Sequence, residues 1–151
     1  MPTTIEVNRL HELNGSRLEA SDWFEITHER VKGFANATQD HQWIHVDVER
    51  ARAESPFGGP IAHGYLTLSL LSAMFEQVLV VSDASMAVNY GLNRVRFPAP
   101  VPIGSKVRLT AEVSAVEEIV GGVAVVLNAI VECSAAPRPV CVAEPVYRYY
   151  H

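Results

Sequence analysis

Hydrophobic and polar positions follow a helical period in the first half of the chain and a strand period in the second. Apolar positions three and four residues apart after Thr27, a good N-cap, predict a first helix that ends near residues 38–40. Asp47 is a second good N-cap and predicts a short helix over residues 48–54. The second half is rich in β-branched residues that partly alternate, which predicts strands. These strands are expected at residues 87–97, 105–118, 123–133 and 140–149, with a turn at Gly121–Gly122.

The longest apolar stretch covers residues 61–81 and predicts a helix from about Gly64 to Leu79. It is apolar on nearly every face, as is typical of a helix enclosed by protein. A membrane span is disfavoured because four polar residues interrupt the stretch and no basic residues flank it. These four are Ser69, Ser72, Glu76 and Gln77. The pattern predicts an α+β fold, with one domain over residues 1–151 and a curved antiparallel sheet around a buried helix.

Composition narrows the class of protein. Of 151 residues 48% are hydrophobic and 19% charged, which indicates a packed core rather than disorder. The net charge of −5 argues against nucleic acid as a partner, because phosphate binding needs a basic stripe. The N-terminal residues show no secretory signal, and Cys133 and Cys141 are then expected to be reduced, buried thiols. A cytoplasmic protein without membrane insertion is expected.

Candidate chemistry is concentrated in residues 34–51, where Asp40 precedes His45 by five positions. On a regular helix these side chains would point about 140° apart, so they converge only if the chain breaks between them. We therefore expect a helix end near Asp40, an irregular segment over residues 41–44 and a new helix start at Asp47. A carboxylate and an imidazole facing one cavity can exchange protons with water and substrate. The alternative is that Asp40 merely ends a helix and His45 is a satisfied core histidine.

Three segments together resemble a known family. Asp40-His-Gln-Trp-Ile-His45, followed by Ala51, is similar to the motif Asp-x-Asn-Pro-(Ile/Leu/Val)-His-x5-(Ala/Ser) of MaoC-like, (R)-specific enoyl-CoA hydratases. Pro60-Ile-Ala-His-Gly64 resembles the segment that opens the helix in that family, and Asn93-Arg-Val-Arg-Phe-Pro-Ala-Pro-Val101 resembles its strand and proline turn. The chain departs from the motif at Gln39, Gln42 and Trp43, where the family commonly has Gly, Asn and Pro.

The resemblance implies a hotdog fold, usually dimeric, and syn addition of water to a trans-2-enoyl thioester. Asp40 would act as the base and His45 would donate a proton to C2, although the roles can be shared. The N–H of Gly64 would bind the thioester oxygen, and the Gln42 amide would orient Asp40 or the water. Ser72 corresponds to a family serine that contacts the acyl chain or the aspartate. An acyl-CoA substrate, a homodimer, no cofactor and no metal are expected.

Other residues have alternative explanations. Ser72 could instead donate to the Leu68 carbonyl, and His63 is expected to brace its loop. His41 and His45 are spaced like a metal-binding pair, which Asp40 or His63 could complete, but they lack an HExxH glutamate. Arg94 and Arg96 could meet CoA phosphates or form surface ion pairs. Four apolar residues belong either to the core or to the wall of an acyl tunnel: Leu66, Leu70, Met74 and Phe75.

Two other functions compete with hydration. A hotdog acyl-CoA thioesterase would aim a carboxylate at the carbonyl carbon and release free thiol. A non-catalytic acyl-CoA-binding or regulatory module would tolerate loss of Asp40 and His45, and no DNA-binding segment is visible to support it.

Overall fold

The main sheet of the molecule has five antiparallel strands in the spatial order β2-β5-β6-β7-β4. The computed structural model describes residues 1–151. The strands are β2 (Phe24–Glu25), β4 (Met86–Arg96), β5 (Lys106–Ile119), β6 (Gly122–Cys133) and β7 (Cys141–Tyr150). All four long strands begin and end within one residue of the predicted bounds, so the strands predicted for the second half of the chain are confirmed. Strand β4 lies at one edge and pairs only with β7.

The turn between β5 and β6 consists of Val120 and Gly121, and Gly122 is the first residue of β6. Gly121 has a φ of 78°, in the left-handed region that favours glycine. A Cβ on Gly122 would collide with the backbone carbonyl of Tyr149 on β7. The predicted hairpin is therefore confirmed, with its turn one residue earlier than the predicted Gly121–Gly122.

Helices lie against the concave side of the sheet. Helix α1 (His28–Thr38) begins at Thr27, whose Oγ1 accepts the Arg30 N–H, as expected. Helix α3 (Val48–Glu54) likewise begins at Asp47, whose Oδ1 accepts the Arg50 N–H. Such caps each stabilise a helix by about 1 kcal/mol.

The predicted central helix consists of α4 (Gly64–Ser69) and α5 (Leu71–Glu76), with an interruption at Leu70. Its expected end at Leu79 is wrong, because Leu79–Val81 forms strand β3, parallel to β1 (Thr3–Ile5). A continuous apolar run does not distinguish a helix from a buried strand. One face of α4 and α5 packs into a core of 29 buried residues that also includes the inner face of the sheet.

The opposite face of these helices is exposed, and Tyr65 keeps 71% of its surface accessible. The expectation of a helix enclosed on every side is therefore too strong for the isolated chain. None of the helices combines the length and the apolar character that crossing a membrane requires. The α+β, hotdog-like arrangement of a curved sheet around helices is confirmed.

Candidate active site

A left-handed residue ends α1 just before Asp40. Gln39 has a φ of 61° and is the only non-glycine residue with positive φ. This conformation costs a residue with a Cβ roughly 1–2 kcal/mol. It turns the chain so that Asp40 lies outside the helix, as the predicted helix end requires.

His45 lies on a short helical turn, α2 (Trp43–Val46), which begins within the segment predicted to be irregular. The single turn forms because the Gln42 carbonyl accepts the His45 N–H at 3.0 Å. The His45 side chain is 7% exposed, and its Nδ1 lies 2.6 Å from the carbonyl oxygen of Ile61. A carbonyl oxygen only accepts, so Nδ1 carries the proton and Nε2 of the neutral ring has a free lone pair.

His63 connects the two predicted catalytic groups. Its ring stacks on His45 with 3.9 Å between centroids and 25° between planes. Its Nε2 donates to the backbone carbonyl of Asp40 at 2.9 Å. One side-chain ligand atom from each of Asp40, His45 and His63 lies within 4.8 Å of the other two. One carboxylate and two buried imidazoles therefore share one small volume.

Burial dominates the electrostatics of this cluster. It lowers the pKa of His45 below the ordinary value of 6.5, and repulsion from His63 acts in the same direction. The hydrogen bond to the Ile61 carbonyl and attraction to Asp40 oppose this shift. His45 is thus held in its neutral form near pH 7 and can accept a proton.

Gly64 is the first residue of α4, and its N–H has no partner within the chain because the first amides of a helix lack intrahelical acceptors. A Cβ at Gly64 would lie 3.1 Å from the ring of Phe97, which leaves little room for a side chain. The glycine therefore permits close packing beside a free donor.

Gln42 and Ser72 occupy different positions relative to the cluster. The backbone N–H of Gln42, rather than its side-chain amide, points at Asp40 Oδ1, at 3.4 Å. Ser72 Oγ lies 3.5 Å from the hydroxyl of Tyr147. The alternative bond from Ser72 to the Leu68 carbonyl is absent. Ser72 is also not in hydrogen-bonding contact with Asp40.

The Asp40–His45–His63 cluster has the composition of a metal site but not a suitable geometry. The two rings are nearly parallel, so their in-plane lone pairs run side by side instead of converging on one ion. His41 is exposed and lies outside the cluster. The arrangement suits proton transfer better than coordination.

Two cavities of about 330 Å³ each adjoin this region. The first is lined by both apolar side chains and hydroxyls, among them Phe34, Leu68, Ser72, Leu92 and Tyr147. The Phe34 ring also lies 4.9 Å from the His63 ring, which places this cavity next to the cluster. The second is lined by Gly64, Thr67 and Phe97 among others.

Four apolar residues were expected either in the core or in the wall of an acyl tunnel. All four belong to the buried core: Leu66, Leu70, Met74 and Phe75. Arg94 and Arg96 form no ion pair, although surface ion pairs were one of their two expected uses. His63, which was expected to brace its loop and was otherwise considered only as a partner in a metal site, lies within the cluster. Its position directly before Gly64 was the available signal.

Comparisons with known proteins give consistent family and fold matches. Residues 10–132 match the family described as MaoC like domain. The chain is 49% identical over 150 residues, covering 99% of both chains, to the 3-hydroxyacyl-thioester dehydratase Z of Mycobacterium tuberculosis. A structure described as a monoamine oxidase regulatory protein from Archaeoglobus superposes with a TM-score of 0.78 at 25% identity, covering 99% of this chain and 97% of that one. An R-hydratase from Pseudomonas aeruginosa has the same fold, with a TM-score of 0.73 at 24% identity and coverage of 91% and 78%.

Proposed function

The chain belongs to the MaoC-like dehydratase family, and from that premise we propose that it catalyses (R)-specific hydration of trans-2-enoyl-CoA and the reverse dehydration. The observation that carries the proposal is the approach of Asp40, His45 and His63 within 4.8 Å. His63 is also the residue that directly precedes Gly64, the first residue of α4. The 3-hydroxyacyl-thioester named for the mycobacterial relative is the corresponding product class.

Asp40 and His45 hold the attacking water in this proposal. A carboxylate oxygen and the free Nε2 of His45 are both acceptors, so they can take the two hydrogens of one water molecule. The water oxygen then has its lone pairs directed away from both groups and towards C3 of the substrate. A positioned acid or base of this kind contributes about a hundredfold or more to the rate.

The hydrogen bond to Ile61 bears on which group moves the proton. His45 has no proton on Nε2 in its neutral form, so it gives one to C2 only after accepting one from water. We therefore assign the proton transfer to His45 and the balancing negative charge to Asp40, a reallocation of the base role expected from sequence. The O–H of water breaks, the C3–O bond forms, and the same proton reaches C2 on the same face.

Gly64 supplies the electrophilic assistance. As the thioester carbonyl becomes an enolate, negative charge develops on its oxygen, which the Gly64 N–H can bind. A preorganised donor of this kind is worth on the order of 3 kcal/mol of barrier. The absence of a Cβ lets the thioester approach this N–H beside Phe97.

The two cavities next to the cluster fit the two arms of the substrate. The cavity beside Phe34 is predominantly apolar and takes the acyl chain, while the cavity beside Gly64 takes the pantetheine arm. The proposed partners are this thioester and a second copy of the chain. The proposal includes no nucleic acid and no cofactor.

A homodimer is the proposed assembly. The outer edge of β4 is unpaired and exposes Met86, Tyr90 and Leu92. An exposed edge strand with apolar side chains favours pairing with another strand.

The two free, buried thiols of Cys133 and Cys141 suit a reducing compartment, so we propose a cytoplasmic location.

The proposal is tested by adding purified protein to crotonyl-CoA and following the enoyl absorbance, with chiral analysis of the product. We expect loss of absorbance without release of free thiol, and a product of R configuration. Thiol release with the enoyl group intact would identify a thioesterase instead. Binding of acyl-CoA without any turnover would identify a non-catalytic module.

A further inference from the structure

His63 contacts more parts of the site than its expected role as a brace of the loop requires. Its side chain is 3% exposed and lies between Phe34 and the His45 ring. Its Nε2–H donates to the Asp40 backbone, and its own carbonyl accepts the N–H groups of Leu66 and Thr67 at the start of α4. One residue thus links the Asp40 backbone, the His45 imidazole and the helix that begins at Gly64.

We propose that His63 is a positioning residue for hydration: it holds Asp40 and His45 in the relation in which both bind one water molecule. This inference rests on the proposed function, since it assigns His63 a task in that reaction. His63 acts through its neighbours. Its Nε2 is occupied by the Asp40 carbonyl, and its Nδ1 is buried without a hydrogen-bond partner.

The chemistry of histidine matches this task. A flat ring is needed to stack on His45, and an N–H in the plane of that ring is needed to hold the Asp40 carbonyl. Phenylalanine provides the ring without the donor, and glutamine provides a donor without the ring. A lysine or arginine would place a permanent charge against His45 and oppose its protonation during turnover. His63 therefore has two functions, ring stacking and hydrogen-bond donation, and each of the two substitutions removes one of them.

His63 also influences the charge on His45. Asp40 and His63 are the titratable groups placed against the His45 ring, and they act on it with opposite sign. Removal of His63 removes a repulsion of the His45 imidazolium, so the pKa of His45 should rise in His63→Gln, whose polar amide does not deepen the burial that dominates the shift. A residue that merely filled space would leave that pKa unchanged when replaced by a side chain of similar volume.

The experiment compares His63→Phe and His63→Gln in the full chain, with His41→Gln as the control. His41 is an exposed histidine of the same loop with no side-chain hydrogen bond. Hydration kinetics with crotonyl-CoA give kcat and KM, and nitrogen-15 NMR of the imidazoles gives the titration of His45. We expect kcat to fall about tenfold or more in both His63 variants and KM to change by less than about threefold. The pKa of His45 should rise in His63→Gln. His41→Gln should match the original protein in all three.

The proposal is overturned if kcat in both variants stays within about twofold of the original protein. It is also overturned if kcat falls in His63→Gln while the pKa of His45 does not move in that variant, because that result describes a structural role alone. Circular dichroism identifies a variant that does not fold, in which case the other variant decides. If the original protein hydrates no enoyl thioester, the proposed function fails. In that case the role of His63 in hydration is overturned with it, whereas hydration by the original protein with an unchanged kcat in both variants overturns the role of His63 alone.

Discussion

The Nδ1 atom of His45 lies 2.6 Å from the carbonyl oxygen of Ile61, and the Ile61 N–H in turn donates to the carbonyl of Ile44 at 3.0 Å. These two hydrogen bonds join the short helix α2 to the segment that leads into α4. They fix the tautomer of His45 and connect it to the position of Gly64, three residues after Ile61. The proton-transfer group and the oxyanion donor are therefore parts of one hydrogen-bonded unit.

The lowered pKa of His45 predicts how activity depends on pH. His45 must be neutral to accept a proton, so kcat/KM should be constant near neutral pH and fall on acidification with an apparent pKa below 6.5. The measurement is kcat/KM for crotonyl-CoA between about pH 5 and pH 8. An acid limb centred above 6.5 would contradict the assignment.

The same shift predicts a pH dependence of stability. Because the folded state binds the His45 proton more weakly than the unfolded state, the unfolded state carries more protons below the ordinary pKa of 6.5. The free energy of unfolding should therefore decrease as pH falls through that value and level off below the folded pKa. Urea denaturation of the original protein and of His45→Asn at several pH values isolates this contribution, which the variant should lack.

Glycine at position 64 should be required for activity in a way that glycine at position 33 is not. A Cβ at Gly64 would press on the Phe97 ring at 3.1 Å and displace the N–H, so Gly64→Ala should lower kcat/KM between about tenfold and a hundredfold. Gly33, within α1, has open space at the Cβ position. Gly33→Ala should therefore keep full activity and raise the free energy of unfolding by about 0.5–1 kcal/mol.

Partial rescue provides the control for the Gly64 result. Phe97→Leu combined with Gly64→Ala relieves the contact and should recover part of the lost kcat/KM. If Gly64→Ala alone retains full activity, the N–H of this residue does not bind the developing oxyanion in the way proposed.

Ser72 and Tyr147 should affect which acyl chain is preferred. Their hydroxyls lie 3.5 Å apart in the wall of the cavity assigned to the acyl chain. Ser72→Ala combined with Tyr147→Phe makes that wall more apolar, so kcat/KM for long enoyl-CoAs should rise about threefold to tenfold relative to crotonyl-CoA. An unchanged preference in a series of chain lengths would place the acyl chain elsewhere.

The assembly can be measured directly. Sedimentation equilibrium should give a mass of twice the 16.6 kDa of the chain. Tyr90→Glu introduces a charge on the exposed edge strand β4 and should shift the equilibrium to monomer. Glu117→Gln on the opposite part of the sheet should leave the mass unchanged, and a monomeric original protein would remove the proposed pairing.

The sequence predicted those features that depend on local physical rules. Both helix starts follow from capping by Thr27 and Asp47, and the four long strands follow from their alternating, β-branched pattern. The division of residues 64–81 into α4, α5 and β3 could not be predicted, because the parallel pairing of β3 with β1 depends on contacts distant in sequence.

The site was predicted less completely for the same reason. The spacing of Asp40 and His45 indicated a chain break, and the left-handed Gln39 provides it. The place of His63 could not be inferred from spacing, since its stacking on His45 depends on how the segment before α4 folds back over α2. The hydrogen-bond partner of His45 was likewise invisible in the sequence.

The most direct test of the central claim, that Asp40 and His45 act together on one water molecule, is turnover of crotonyl-CoA by Asp40→Asn, His45→Gln and His45→Asn. In His45→Asn the amide takes the place of Nδ1 and can still donate to Ile61, whereas the Nε2 lone pair is lost. We predict that each variant remains folded by circular dichroism and loses at least about a hundredfold in kcat. Folded variants that turn over at rates close to that of the original protein would contradict the claim.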